Sequence, residues 1–146
     1  YGQCAEFCGI SHANMRFKVI AQPRAEFDAW LLAQAALPFE PVDPLAIEGK
    51  DVFLSIEAGC RGCHTVAGTS ARGRLGPNLT HFGSRRQLAS GILDNTQANL
   101  RRWLLDPNEV KPGNVMGETA AIYVNPDKAL TEPQVSALVA YLRSLE

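Results

Sequence analysis

The sequence has no long hydrophobic run and no excess of charge of either sign. Its longest mostly apolar stretch, Ala29 to Phe39, contains Gln34 and Pro38 and is about half the roughly 20 residues that a membrane-spanning helix needs. The 14 Lys and Arg nearly balance the 15 Asp and Glu, so the net charge is −1. This balance excludes a bulk attraction to nucleic acid or to an anionic membrane surface. We expect no nucleic-acid partner, no spanning helix and no signal peptide in these residues.

The composition is that of a globular protein, with 46% apolar and 20% charged residues among 146. This length suffices for one ordinary domain, or for one domain plus a fragment of another. The chain starts at Tyr1 instead of a methionine, three positions before its first cysteine. We therefore expect it to be a piece of a longer protein.

Cysteines are few, and they fall into two tight pairs. Cys60 and Cys63 belong to a C-x-x-C-H motif that ends at His64, which is the attachment signal for a c-type haem. Two thiols at this spacing can add to two vinyl groups on one porphyrin edge, and the next imidazole can ligate the iron. A zinc half-site would need two further ligands, and a redox C-x-x-C normally follows a βαβ pattern that is absent here. The motif predicts covalent haem.

A six-coordinate haem needs a second axial ligand, and Met116 and His81 are the candidates downstream of His64. Met116 lies in a Pro/Gly-rich segment, which we expect to be a loop that presents the thioether to the far face of the ring. We expect His81 to lie at the surface or behind the ligands. Although a lone methionine is usually core packing, we favour Met116, because His/Met ligation with no open position suits electron transfer. Trp103 is an aromatic candidate for the pocket, with ordinary core packing as the alternative.

Helix signals surround this motif. We expect a helix from Pro44 to about Gly59, two short helices over 84–93 and 96–105, and a last helix that starts at Thr131. The residues expected on buried faces of the first and last of these helices are Ile47, Phe53, Ile56, Val135, Leu138, Val139, Leu142 and Leu145.

Residues 44–146 resemble class I cytochrome c domains, through Cys60, Cys63, His64 and Met116 above all. The resemblance implies a mostly α, class I cytochrome c fold in which the first and last helices cross closely. By the same resemblance Gly49, Phe53 and Tyr141 lie at that crossing. Pro77 matches the proline whose carbonyl orients the proximal histidine.

The N-terminal cysteines begin a second motif, C-x3-C-x3-H-x2-M, made of Cys4, Cys8, His12 and Met15. These soft ligands suit copper or zinc. A zinc site would leave Met15 unexplained, and a Cys4–Cys8 disulfide is the plainer alternative. Two coppers bridged by the two thiolates account for the entire spacing.

This motif resembles the dinuclear copper (CuA) loop of cytochrome c oxidase subunit II. By that resemblance Cys4 and Cys8 bridge the coppers, His12 and Met15 are terminal ligands, and the backbone carbonyl of Glu6 is a weak ligand. The family also uses a second histidine from an earlier strand, and no residue before Tyr1 supplies it here. We therefore expect that this chain by itself does not hold a complete dinuclear centre.

Between the two motifs the sequence predicts a strand over 16–21, a short helix over 23–36 and a proline-rich linker over 37–44. The resemblance makes the strand a remnant of a cupredoxin-like β domain, which we expect to be orphaned. Phe27, Trp30, Leu31 and Leu37 would form the apolar face of the helix. The predicted domains are 1–22 (end of the CuA domain), 23–43 (helix and linker) and 44–146 (cytochrome c domain).

The order of these motifs resembles the caa(3)-type oxidase family, in which a cytochrome c is fused to subunit II. The resemblance implies electron transfer from a soluble cytochrome c or a quinol-oxidising complex, through haem c and CuA, to the oxygen-reducing site of subunit I. It implies the periplasmic face of a bacterial membrane, contact with that membrane only through upstream helices, and no catalytic residues in this fragment. The alternatives are the CuA and haem c part of a nitrous oxide reductase, against which Glu6 argues, and a free-standing cytochrome c carrier with 1–43 as a leader.

Overall fold

The computed structural model describes all 146 residues and is mostly helical. The helices are α1 (Arg24–Ala35), α2 (Pro44–Leu54), α3 (Cys60–Cys63), α4 (Gln97–Leu105), α5 (Pro107–Val110), α6 (Val115–Thr119), α7 (Ala121–Val124) and α8 (Glu132–Ser144). The strands form two antiparallel pairs, β1 (Gly2–Gln3) with β2 (Arg16–Phe17) and β3 (Gln87–Leu88) with β4 (Leu93–Asp94). Single 3-10 turns lie at His12–Asn14 and Pro126–Lys128. The mostly α fold expected from the sequence is confirmed. None of the helices is both long and apolar enough to cross a membrane.

Helix α2 begins where the sequence predicts but ends earlier. The Asp43 carboxylate accepts the Leu45 N–H at 3.1 Å and so caps the first turn. The prediction that the helix reaches Gly59 is wrong, because Ser55 is extended and its hydroxyl accepts the Ala58 N–H in a local turn.

The buried face of α2 differs from the predicted one. Ala46, Gly49 and Phe53, three and four residues apart, face the interior. Ile47 and Ile56 are 44% and 78% exposed, so their predicted burial is wrong. Ile47 lies one position away from the buried stripe, and Ile56 lies beyond the end of the helix.

Helix α8 is the centre of the core. Its N-terminus carries the capping box that Thr131 and Gln134 make together. All five apolar residues predicted for this segment, Val135, Leu138, Val139, Leu142 and Leu145, are buried. The helix crosses α2 as expected: the rings of Phe53 and Tyr141 are 5.5 Å apart, and Gly49 lies against the backbone of Ala137.

The prediction of a helix over 84–93 is wrong. The helix predicted over 96–105 is present as α4, and Thr96 caps it. Strands β3 and β4 occupy the first segment, and the turn between them runs through Ala89, Ser90 and Gly91 at φ of 54°, 60° and 80°. Three consecutive left-handed residues cannot belong to a right-handed helix.

The N-terminal segment also departs from expectation. Strand β2 is shorter than predicted but is not orphaned, since it pairs with β1. Helix α1 forms, but none of its residues is buried, so the apolar face expected at Phe27, Trp30, Leu31 and Leu37 is uncovered in this structure. An isolated amphipathic helix buries its apolar residues only where a partner surface exists.

Candidate haem pocket and metal-binding loop

A cavity of about 580 Å³ opens beside the core formed by α2, α4 and α8. Most of its lining side chains are hydrophobic, which suits a large apolar ligand with few polar contacts. The residues predicted from the sequence to hold a haem all lie on its wall: Cys60, Cys63, His64, Pro77, Trp103 and Met116.

The ring of His64 has a defined orientation. Its Nδ1–H donates to the Pro77 carbonyl at 2.8 Å, so the proton resides on Nδ1 and the lone pair of Nε2 has no hydrogen-bond partner. A Cβ added to Gly76 would lie 2.4 Å from Cε1 of the ring, so only glycine allows this approach. Burial lowers the pKa of His64, the Pro77 hydrogen bond partly opposes this, and the charge of Arg85 lowers the pKa further. A neutral imidazole with a free Nε2 is the form that ligates a metal.

Helix α3 brings the two thiols of the C-x-x-C-H motif to the cavity within a single turn. The His64 N–H donates to the Cys60 carbonyl at 3.0 Å, and the Gly76 N–H donates to the Cys63 carbonyl at 2.7 Å. Neither thiol takes part in a disulfide bond. Burial raises the pKa of the Cys60 thiol to about 11. Two thiols and an imidazole on one wall of an apolar cavity fit a covalently attached porphyrin.

Met116 lies on the same cavity but not in a loop. It belongs to the short helix α6, whose first turn is capped where the Asn114 side chain accepts the Gly117 N–H at 2.8 Å. The loop prediction missed this cap, although asparagine is among the residues preferred at a helix N-cap. The thioether is half-buried, so it is available to a group held in the cavity.

His81 is buried, with Nε2 unpartnered, and it does not line the cavity. Of the two expected places, at the surface or behind the ligands, the surface is therefore wrong, and its place outside the cavity removes His81 as an axial ligand. Trp103 lines the cavity and also packs against the core. It is therefore both a pocket residue and a core residue, the two alternatives that the sequence left open.

Among the cavity-wall residues that sequence reasoning missed are Tyr123, Arg16 and Phe17. The Tyr123 hydroxyl donates to the Leu104 carbonyl at 3.0 Å, and burial raises its pKa above the ordinary range. Arg16 and Phe17, from the N-terminal segment, also line the cavity. No local signal predicts these contacts, because they depend on how distant segments pack.

The residues of the N-terminal motif converge at one place, the metal loop (residues 4–15). The Cys8 Sγ lies 3.7 Å from Cys4 Sγ, 3.8 Å from His12 Nδ1 and 3.4 Å from Met15 Sδ. The Glu6 carbonyl oxygen is 3.0 Å from Cys4 Sγ. The ligand atoms of the two cysteines and the histidine all lie within 4.8 Å of one another. This set of sulfur and imidazole donors fits copper or zinc.

The backbone explains the convergence. The Cys4 N–H donates to the Met15 carbonyl at 2.9 Å, which closes the loop at the β1–β2 pair. Cys4 and Cys8 are not joined as a disulfide. The thiol–thiol hydrogen bond with Cys4 is the main cause that raises the pKa of Cys8.

Comparison with known proteins places the chain in a family: it belongs to the cytochrome c family, whose model matches residues 46–146. A haem c is the prosthetic group that this family implies. Over all of its length the chain is 46% identical to cytochrome c oxidase subunit 2 of Bacillus sp. (strain PS3). It is 46% identical over 99% of its length to the subunit 2 of Alkalihalophilus pseudofirmus, and 35% identical over all of its length to that of Bacillus subtilis. The chain spans about 39% of the length of each of these relatives. The resemblance of residues 44–146 to cytochrome c domains, and of the chain to oxidase subunit II, is confirmed.

Proposed function

We propose that this chain is the haem-carrying part of subunit II of a caa(3)-type cytochrome c oxidase and that it passes electrons into the complex. The observation that carries the proposal is the presence, on one chain, of two donor sets of different chemistry. The first set, Cys60, Cys63, His64 and Met116, lines the apolar cavity. The second set, Cys4, Cys8, His12 and Met15, lies in the metal loop, which contacts the domain that contains the cavity. The oxidase names of the relatives support this function over a nitrous oxide reductase or a free-standing carrier.

The haem, when bound, supplies reversible one-electron exchange. In the proposed site Cys60 and Cys63 would hold it by thioether bonds, and His64 would offer Nε2 to the iron while Pro77 keeps the imidazole ring in place. Met116 would offer its thioether sulfur as a second ligand, and a haem iron held by both residues would have no open position for oxygen or peroxide and a high reduction potential. Trp103 completes the apolar wall and excludes water.

The metal loop fits the terminal part of a CuA centre. Cys4 and Cys8 would hold the coppers through their thiolates. His12 Nδ1 and Met15 Sδ would supply further ligands, and the Glu6 carbonyl would be a weak one. A CuA centre needs one more histidine than these residues supply, so in the proposal the upstream part of the subunit provides it. The remnant of a cupredoxin-like domain then corresponds to residues 1–22, followed by the linker segment 23–43 and the cytochrome c domain 44–146.

In the proposed relay an external donor, either a soluble cytochrome c or a quinol-oxidising complex, would reduce the haem. The electron would then pass to the copper centre and from there to subunit I, where oxygen would be reduced. The haem domain would face the periplasm, and upstream helices would anchor the subunit in the membrane. Attachment through the linker makes the second transfer intramolecular, at high effective concentration.

Cys8→Ser tests the relay in the oxidase complex that contains this chain. Because Cys8 lies within 4 Å of the donor atoms of Cys4, His12 and Met15, the variant should lose the copper centre. Stopped-flow mixing with a reduced cytochrome c should then show haem reduction at the normal rate and no onward transfer. Asn14→Ala, an exposed change in the same loop, should behave like the wild type. Normal oxygen consumption by Cys8→Ser would contradict the proposal.

Met116→Ala should lower the reduction potential of the haem. Loss of the thioether removes the ligand that favours the ferrous state, and we expect a fall on the order of 0.1 V within the roughly 0.8 V range that axial ligands span. Potentiometric titration followed by optical spectroscopy measures the change, together with loss of the sulfur-to-iron charge-transfer band. The control is Val124→Ala, whose side chain is 55% exposed and does not line the cavity. An unchanged potential and band in Met116→Ala would show that another group ligates the iron.

A further inference from the structure

The turn between β3 and β4 is held in an unfavourable backbone conformation. Ala89 and Ser90 have φ of 54° and 60°, and Gly91 follows at 80°. A left-handed conformation is unfavourable for a residue other than glycine, because its Cβ lies too close to the following carbonyl oxygen. Such residues persist where surrounding contacts determine them, and they are concentrated at functional places.

The contacts that hold this turn come from segments that adjoin the two candidate metal centres. The Ser90 carbonyl accepts the N–H of Arg16 at 3.0 Å, and Arg16 directly follows Met15 of the metal loop. The Ser90 hydroxyl accepts from Lys111 Nζ at 2.8 Å, and Lys111 begins the segment that leads to Met116. The turn also lines the haem cavity. Three parts of the molecule therefore meet at Ser90.

A second group of contacts lies beside the turn. The Ser11 hydroxyl donates to the Pro112 carbonyl at 2.5 Å. Ile10 packs against Gly113, where an added Cβ would lie 3.3 Å from the Ile10 Cβ. The metal loop is thus in contact with the segment before Met116. No hydrogen bond joins residues 1–17 to residues 60–77 on the His64 side.

We propose that the turn Ala89–Gly91 is a docking platform that positions the metal loop against the methionine side of the haem pocket, so that the electron passes between the two centres across this contact. The inference rests on the proposed function and adds the route and the positioning residues, Ser90, Gly91 and Ser11. The transfer moves one electron: the haem iron is oxidised by one unit, the copper centre is reduced by one unit, and no bond or proton is exchanged.

Gly91→Ala tests the platform, with Gly68→Ala as its matched control. Both glycines are left-handed, at φ of +80° and +79°, so both substitutions strain the backbone alike. The new Cβ at Gly91 would lie 2.9 Å from the Arg16 carbonyl oxygen, whereas at Gly68 the nearest atom, of Leu37, is 3.9 Å away. Ser11→Ala is a second variant, which removes the contact to Pro112 without straining the backbone.

The measurements are made on the oxidase complex with both centres loaded. After photochemical reduction of the haem, transfer to the copper centre should slow on the order of tenfold or more in Gly91→Ala and measurably in Ser11→Ala, because small displacements of reacting groups are costly. Amide hydrogen exchange at Arg16 should speed up in Gly91→Ala and stay slow in Gly68→Ala. The optical spectrum of the haem reports whether the pocket is intact in each variant.

The inference is overturned if Gly91→Ala and Ser11→Ala transfer electrons as fast as Gly68→Ala and Arg16 keeps its slow exchange, a result that leaves the proposed function standing. A wild-type complex that passes no electron from haem to copper overturns the proposed function, and the inference with it. Slow transfer in both variants with rapid Arg16 exchange in Gly91→Ala supports the platform.

Discussion

Replacing both Cys60 and Cys63 by alanine should leave the cytochrome c domain largely unfolded. The variant cannot form thioether bonds, so haem is retained only weakly, and the cavity of about 580 Å³ loses its contents. A haem packed in this cavity contributes apolar burial that the protein chain alone does not supply. Since a domain is stable by only about 5–15 kcal/mol, we expect loss of the haem to remove much of the free energy of unfolding.

The position of the cavity in the core supports this expectation. Its wall includes Phe53, Leu100, Leu138 and Leu142, which also belong to the central cluster of buried side chains. The haem pocket and the central core therefore share side chains, so loss of the haem removes packing partners from residues that also hold the core together. Several of the helices around the cavity are single turns of four or five residues, too short to be stable by themselves.

Far-UV circular dichroism measures the loss of helix, and haem staining after denaturing electrophoresis confirms that no porphyrin is attached. The matched control is the double variant Cys4→Ala/Cys8→Ala, which removes two thiols from the metal loop, outside the cavity. We expect it to keep haem and native helicity. If the Cys60/Cys63 variant instead kept native helicity without haem, the prosthetic group would not be part of the core.

Chemistry that depends on short spacing could be predicted from the sequence. The C-x-x-C-H motif and the C-x3-C-x3-H-x2-M motif each place their ligand atoms within a few residues, so local geometry brings the donors together. The start of α2 and the start of α8 could also be predicted, because Asp43 and Thr131 satisfy helix N–H groups in their own first turns.

Features that depend on contacts between distant segments could not be predicted. The segment 84–93 has hydrophobic residues at spacing that a helix allows, yet Ser90 is held in a left-handed conformation by Arg16 and Lys111. Likewise β2 finds its partner in β1, and Arg16 and Phe17 reach the haem cavity. Each of these outcomes is decided by tertiary packing, which overrides local preference.

Gly49→Ala should strongly destabilise the domain, against the trend for helices. In an exposed helix interior, alanine is about 1 kcal/mol more favourable than glycine. At this position the added Cβ would lie 1.9 Å from the Ala137 carbonyl oxygen, 2.5 Å from its carbonyl carbon and 2.8 Å from the Tyr141 Cβ. Because most of these atoms are backbone of α8, no side-chain rotation relieves the overlap, and α2 must move away.

The cost of that displacement exceeds the gain in helix propensity. Overpacking of a well-packed core costs about 1–3 kcal/mol, and a backbone overlap lies at the upper end of that range. A loss of about 3 kcal/mol lowers the melting temperature of a domain of this size by roughly 10 °C or more. Thermal unfolding of the haem-loaded protein, followed by circular dichroism, measures the shift.

Glu48→Ala is the matched control, since it introduces alanine at the neighbouring, exposed position of α2 and should shift the melting temperature little. The displacement should also reach the haem, because Phe53 on α2 packs against Tyr141 with ring centroids 5.5 Å apart and lines the cavity. We therefore expect the optical spectrum of Gly49→Ala to change well below its melting temperature. A variant as stable as the wild type would show that α2 and α8 do not cross at Gly49. The position of Phe53 on the cavity wall, which depends on that crossing, would then be wrong as well.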